Sequence, residues 1–114
     1  MQSHFRVDVQ RNAHAIVLAI MGELDLSSST ALEEEIAGAI DSEASLVIVD
    51  LRGLEFIDST GLGVLVKANQ RALDEGRSFG LVRGGSQVQR LLSLTGLADR
   101  LKIADTPEEL IGGD

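Results

Sequence analysis

Two long apolar stretches restrict this chain more than any other feature. Residues 15–21 read AIVLAIM and residues 46–51 read LVIVDL. Neither alternates polar with apolar side chains, so each predicts a strand covered on both faces. The β-branched content of the second favours strand over helix. Strands of that kind belong in a sheet with helices packed on it. Upstream, Phe5, Val7 and Val9 alternate with Arg6, Asp8 and Gln10, the period of a half-buried strand. Arg11-Asn12 offers a turn between that strand and residues 15–21, which predicts a hairpin.

The remaining segments alternate. Gly22 opens a polar loop, GELDLSSS, and Thr30 with Glu33 fits a capping box for a helix carrying Leu32, Ile36 and Ile40 on one face. Residues 52–57 read as a short connector. Asp58-Ser59-Thr60-Gly61 opens a second helix, in which Leu62, Leu65, Val66, Asn69 and Leu73 recur at helical spacing and which Gly76 is placed to end. Residues 79–83 form a strand, Gly84-Gly85 a turn, and Ser86 caps a helix with Val88, Leu91 and Leu92 that Gly96 stops. Residues 101–104 make a last strand, and Thr106-Pro107-Glu108-Glu109 combines an N-cap, a first-position proline and a third-position glutamate. A hairpin followed by strand–helix alternation predicts one α/β domain over residues 1–114. Its sheet is mixed, mostly parallel, with about four to five strands flanked by about four helices.

Composition narrows the function. Acidic residues outnumber basic ones 18 to 10, for a net charge of −8. That surface repels phosphate backbones and anionic lipid, which argues against direct nucleic-acid binding. Trp and Tyr are absent and Phe occurs three times, so base-stacking platforms are missing. The absence of Cys excludes disulfides, thiolate metal sites and a cysteine nucleophile. The longest apolar run falls far short of the ~18 residues needed for membrane insertion. The opening MQSHFRVDVQ lacks the layout of a signal peptide. The expectation is a small cytoplasmic domain.

Catalytic sets are hard to assemble. His4 and His14 are the only histidines and lack H-x-x-H spacing, and neither a P-loop, a full G-x-G-x-x-G nor a G-x-S-x-G occurs. No metal, cofactor or catalytic residue is expected, and the chain does not read as an enzyme. Glu23, Asp25 and Asp58 lie in loops among small polar residues, with nothing to bury them and separate their pKa values. Glu33, Glu34 and Glu35 fall in the first turns of a helix, where they complement its dipole as a solvated face.

The segment Phe56-Ile57-Asp58-Ser59-Thr60-Gly61-Leu62-Gly63 stands apart. A plain helix cap accounts for Asp58 or Ser59. Yet one capping group suffices, and here two hydroxyls follow an acid. Glycines at the helix start weaken it by ~1 kcal/mol each, while letting another backbone approach closely. A hydroxyl at a helix N-terminus sits where free N–H groups accommodate a phosphate. Phosphorylation would add ~−1.5 to −2 charges beside Asp58. A partner packed there would then meet a desolvated dianion while the fold stayed as it was.

In order and spacing, the early hairpin, the Gly22-Glu23-Leu24-Asp25 loop, LVIVDL, RGLEFI, DSTGLGVL and LTGLADRL resemble a STAS domain of the anti-sigma factor antagonist family. The resemblance spans nearly the whole chain. It implies a cytoplasmic bacterial protein that, unphosphorylated, binds an anti-sigma factor and releases a sigma factor. That anti-sigma factor would also be a serine kinase, and a PP2C-type phosphatase would reverse its action. The family's acceptor falls on Ser59, with Asp58 beside it. Asp25, Ser27, Asp58, Thr60, Gly61 and Leu62 would form the partner surface. Thr60 is a second hydroxyl that a cap or a packing contact also explains, and Asp25 can equally be a loop carboxylate capping the helix of residues 30–40. The alternative within the same fold is a docking module of a transport system or sensory complex that is not phosphorylated. A nucleotide-binding switch built on Asp25, Asp58 and Ser59 is a third reading that nothing in the sequence demands.

Overall fold

The computed structural model describes residues 4–112. Residues 1–3, in the N-terminal segment read as lacking a signal peptide, and residues 113–114, at the end of the expected domain, lie outside the described residues. The elements run β1 (Arg6–Asn12), β2 (Ala15–Leu24), α1 (Ser29–Asp41), β3 (Leu46–Ile57), α2 (Ser59–Asp74), β4 (Ser78–Val82), α3 (Ser86–Leu94), a 3-10 turn (Leu97–Asp99), β5 (Ile103–Ala104) and α4 (Pro107–Gly112). The five strands lie in sequence order in one sheet. β1 is antiparallel to β2 and every other pair is parallel. The expected mixed α/β domain is what the structure describes.

The two apolar runs are covered on both faces for a visible reason. Ile16, Leu18, Ile20, Val47, Val49, Leu51, Phe79 and Leu81 share one face, where they meet Leu32, Ile36 and Ile40 of α1, Leu62, Leu65 and Ala68 of α2, and Val88 and Leu92 of α3. The alternate residues Ala15, Val17, Leu46, Ile48 and Val82 form a smaller core on the other face under Leu110 and Ile111 of α4. Burying each large aliphatic side chain in such a core is worth about 1.5–3 kcal/mol. Asp50, which faces the less covered side, is buried but held by Arg52, whose Nη2 lies 2.7 Å from Oδ2.

Several boundaries differ from the sequence reading. β2 continues through Leu24 and β3 through Ile57, so the expected loop at Gly22 and connector at 52–57 are strand. Their pairing (Met21 with Gly53, Gly22 with Leu54, Glu23 with Phe56, Leu24 with Ile57) passes two register shifts that break a clean period of two. Gly22 adopts φ +90°, and a Cβ there would stand 2.7 Å from the His4 carbonyl oxygen. The hairpin turn falls at Ala13-His14, two residues beyond the expected Arg11-Asn12. The Thr30–Glu33 capping box does not form, because α1 starts at Ser29 and Ser28 occupies the N-cap. Leu73 is 56% exposed, and the small residues Ala68 and Ala72 take the inner face of α2 instead. By contrast Gly76 and Gly96 adopt φ +75° and +78° and end their helices as expected. The cap of α4 is present too, with the Glu109 N–H donating to Thr106 Oγ1 at 3.3 Å.

The lengthened strands bring their C-terminal ends against the start of α2. Gly61 sits so close to them that a Cβ would meet the Leu24 carbonyl oxygen at 2.7 Å and Ile57 Cγ1 at 2.9 Å. Gly63, one residue past Leu62 on the same helix, has nothing within 4 Å of its would-be Cβ. The two glycines therefore separate by experiment. Gly61→Ala should lower unfolding free energy by about 1–3 kcal/mol through overpacking against fixed backbone. Gly63→Ala should raise it by up to ~1 kcal/mol through helix propensity. Urea denaturation of both variants measures the contrast.

Candidate functional site

Asp58 turns the chain from β3 into α2. Its backbone is extended, and its carboxylate Oδ1 accepts the Gly61 N–H at 3.0 Å. Its own N–H donates to the Leu24 carbonyl at 3.2 Å, and its carbonyl accepts the Leu62 N–H at 3.0 Å. Asp58 is thus the helix cap. One of the two expected explanations for this segment is met by the acid alone, and neither hydroxyl is needed for it. Ser59 and Thr60 are exposed on the first turn of α2. Gly61 and Leu62 turn inward and are buried, Leu62 at 5% exposure. These third and fourth residues of the helix face the sheet ends, so of the residues expected to form a partner surface, Ser59 and Thr60 are the exposed ones on this turn.

The neighbouring loop after β2 is stapled by its own polar groups. Asp25 Oδ1 accepts the Ser27 hydroxyl at 2.7 Å and the Ser27 N–H at 3.0 Å. The Ser28 hydroxyl donates to the Glu23 carbonyl at 2.7 Å and accepts the Asp25 N–H at 3.0 Å. The Asp25 carbonyl accepts the Ser28 and Ser29 N–H groups at 3.2 and 2.9 Å. The Asp25 side chain therefore orders its own loop rather than capping α1 as a helix-end carboxylate would. The Ser27 hydroxyl bond is the largest influence holding the Asp25 carboxyl below its ordinary range, and burial opposes it.

Asp25, Leu26, Ser27 and Asp58 line one open concavity of about 410 Å3. The structure thereby brings together the two loop acids and Ser27 at the end of the sheet where Ser59 stands. Leu26 was not anticipated from sequence, yet it is 76% exposed in this lining. The available signal was an apolar residue set inside a run of Asp and Ser. His14 belongs to the opposite end of the sheet, where its carbonyl accepts the Ser45 N–H before β3 begins. Among the described residues no group of three metal-ligating side chains exists, and no helix is long and apolar enough to cross a membrane.

A third element reaches this corner. The Ile57 N–H donates to Gln87 Oε1, and Gln87 Nε2 donates to the Ile57 carbonyl, both at 3.0 Å. Gln87 lies on α3 and was not singled out by motif or periodicity.

Comparison with known proteins agrees with this architecture. The STAS domain family matches residues 6–110. An anti-sigma-B factor antagonist of Bacillus subtilis is 33% identical over 105 residues, covering 92% of this chain and 95% of its own. The crystal structure of an anti-sigma factor antagonist from Mycobacterium paratuberculosis superposes with a TM-score of 0.86 at 26% identity, covering 95% of this chain and 92% of its own. The Bacillus protein SpoIIAA shares the fold in its phosphorylated form, with a TM-score of 0.69 at 23% identity over 95% of this chain and 96% of its own.

The Asp25 staple carries a titration consequence. Because the folded loop favours the ionised carboxylate, that ordering is present above the carboxyl's unfolded pKa and is lost as pH falls through its lowered folded value. Carboxyl-carbon NMR should show Asp25 titrating below an ordinary aspartate. Ser27→Ala should return it upward, and an unchanged titration would remove the hydroxyl as the cause.

Proposed function

This chain belongs to the STAS domain family, and within it we propose that the protein is an anti-sigma factor antagonist switched by phosphorylation of Ser59. The observation that carries the reading is the exposed Ser59 hydroxyl on the first turn of α2, beside a helix cap that Asp58 already supplies. Its hydroxyl is not required for the fold, so it is available for modification.

The unphosphorylated protein binds an anti-sigma factor over Ser59, Thr60, Asp58, Leu26 and the Asp25–Ser27 loop, and the sigma factor is released. The anti-sigma factor acts as a serine kinase. Ser59 Oγ takes the γ-phosphoryl group of ATP, ADP leaves, and the hydroxyl proton passes to a base on the kinase. A PP2C-type phosphatase hydrolyses the ester and returns the alcohol with inorganic phosphate. The domain is the substrate of both enzymes and is itself no enzyme, needs no cofactor, and works in the cytoplasm where sigma factors act.

Electrostatics supplies the switch. The concavity already presents the Asp25 and Asp58 carboxylates. A dianion added between them and a docked partner is a like-charge and desolvation penalty of several kcal/mol, and each ~1.4 kcal/mol is tenfold in affinity. The first-turn amides and the positive end of the helix dipole tolerate the phosphate within the protein itself. The penalty therefore falls on the interface. The existence of SpoIIAA in a phosphorylated form is support from a protein of the same fold.

Affinity capture with the Ser59→Ala protein from its own cells should retain an anti-sigma factor with kinase activity. That kinase with ATP should place phosphate on Ser59 of the wild type, located by mass spectrometry, and none on Ser59→Ala. Ser59→Ala should bind within about twofold of wild type, whereas Ser59→Glu should lose about tenfold in affinity, less than full phosphorylation because its charge is smaller. Capture of a transporter component with no phosphorylation would instead support the docking-module reading.

A further inference from the structure

We propose that Gln87 is a positioning residue for the Ser59 switch, an inference that rests on the phosphorylation reading above. The pairing of β3 with β4 ends at Asp50 and Val82, while β3 continues to Ile57 paired to β2 alone. Seven residues of β3 thus run on with one edge lacking a strand. At the end of that edge, the Ile57 N–H and carbonyl point away from β2, because the next N–H, that of Asp58, is the one that reaches the Leu24 carbonyl. Helix α3 occupies the space into which β4 would have continued. Gln87 meets both Ile57 groups at 3.0 Å, so one side-chain amide stands in for the missing peptide.

Two opposed hydrogen bonds fix more than a distance. They set the rotation of the Ile57 backbone, and Ile57 is the residue from which Asp58 and Ser59 extend. The Ile57 side chain is fully buried, and its Cγ1 is one of the atoms that Gly61 approaches. Core packing, β2 pairing and the Gln87 amide therefore hold one residue from three directions. α3 is itself anchored at its start, where Gln89 Oε1 accepts the Gly84 N–H at 2.8 Å. Gln87 is an exposed residue overall, so its two bonds to Ile57 are not a by-product of core burial. Its role is to present Ser59 Oγ to the kinase at a fixed angle, since misplacement by about 1 Å at a reacting atom can cost a hundredfold in rate.

The test uses Gln87→Met, which keeps length and apolar stem but removes both polar atoms, and Gln87→Glu, which keeps an acceptor and sets a charge against the Ile57 carbonyl. Native-state hydrogen exchange should show faster exchange of the Ile57 amide in Gln87→Met, which lacks the acceptor oxygen, with β2 amides unchanged. Steady-state phosphorylation by the captured anti-sigma kinase should show kcat down about tenfold with KM within about twofold, a split that general destabilisation would not produce. Unchanged Ile57 exchange in Gln87→Met would overturn the clamp. Faster exchange with unchanged kcat would overturn the positioning role while leaving Ser59 as the acceptor. Wild-type protein that takes no phosphate on Ser59 would overturn the switch itself and this inference with it.

Discussion

The contact on which this molecule depends is the seating of the start of α2 on the carboxyl ends of β2 and β3. A single hydrogen at Gly61 permits it: the Leu24 carbonyl oxygen and Ile57 Cγ1 stand where a side chain would begin. Once the helix is seated, Asp58 is drawn into three hydrogen bonds that close the corner between strand and helix. Ser59 and Thr60 are then left outward on the first turn. The same seating places the helix start beside the loop that Asp25, Ser27 and Ser28 tie down. The site is a consequence of close packing at one sheet end, not of a pre-built cavity.

That origin explains how a switch can operate without refolding. The residues that hold the corner are Asp58 by its cap, Gly61 by its smallness, Leu62 by burial and Ile57 by its backbone and side chain. None of them is the residue that would be modified. On the proposed reading, a phosphoester on Ser59 would change the charge of the surface while the supporting groups kept their partners. The cost is borne by whatever must desolvate that surface. An acidic chain of net charge −8 reinforces this, since its background field already disfavours further negative charge at an interface.

Much of this was legible in the sequence. The runs 15–21 and 46–51 specified doubly covered strands, Gly76 and Gly96 specified helix ends, and the Asp-Ser-Thr-Gly order specified a capped helix start with spare hydroxyls. What escaped were features set by tertiary pairing. The extension of β3 through residues 52–57 depends on partners in β2 and on register shifts that no local period reveals. The inward turn of Gly61 and Leu62 depends on the angle at which α2 meets the strand ends. Leu26 is exposed because serines, not apolar groups, tie its loop. Gln87 acts across 30 residues of sequence, and a glutamine on a helix face carries no motif.

The central claim is that phosphate on Ser59 alters the docking surface and leaves the fold in place. Isothermal titration of the anti-sigma factor into unphosphorylated and Ser59-phosphorylated protein, with amide NMR spectra of both forms, tests it most directly. Kd should differ by at least about a hundredfold, on the order of 3 kcal/mol, with spectral changes confined to the Asp25–Ser28 loop and the first turns of α2. Equal affinities, or a spectrum altered throughout the sheet, would contradict it.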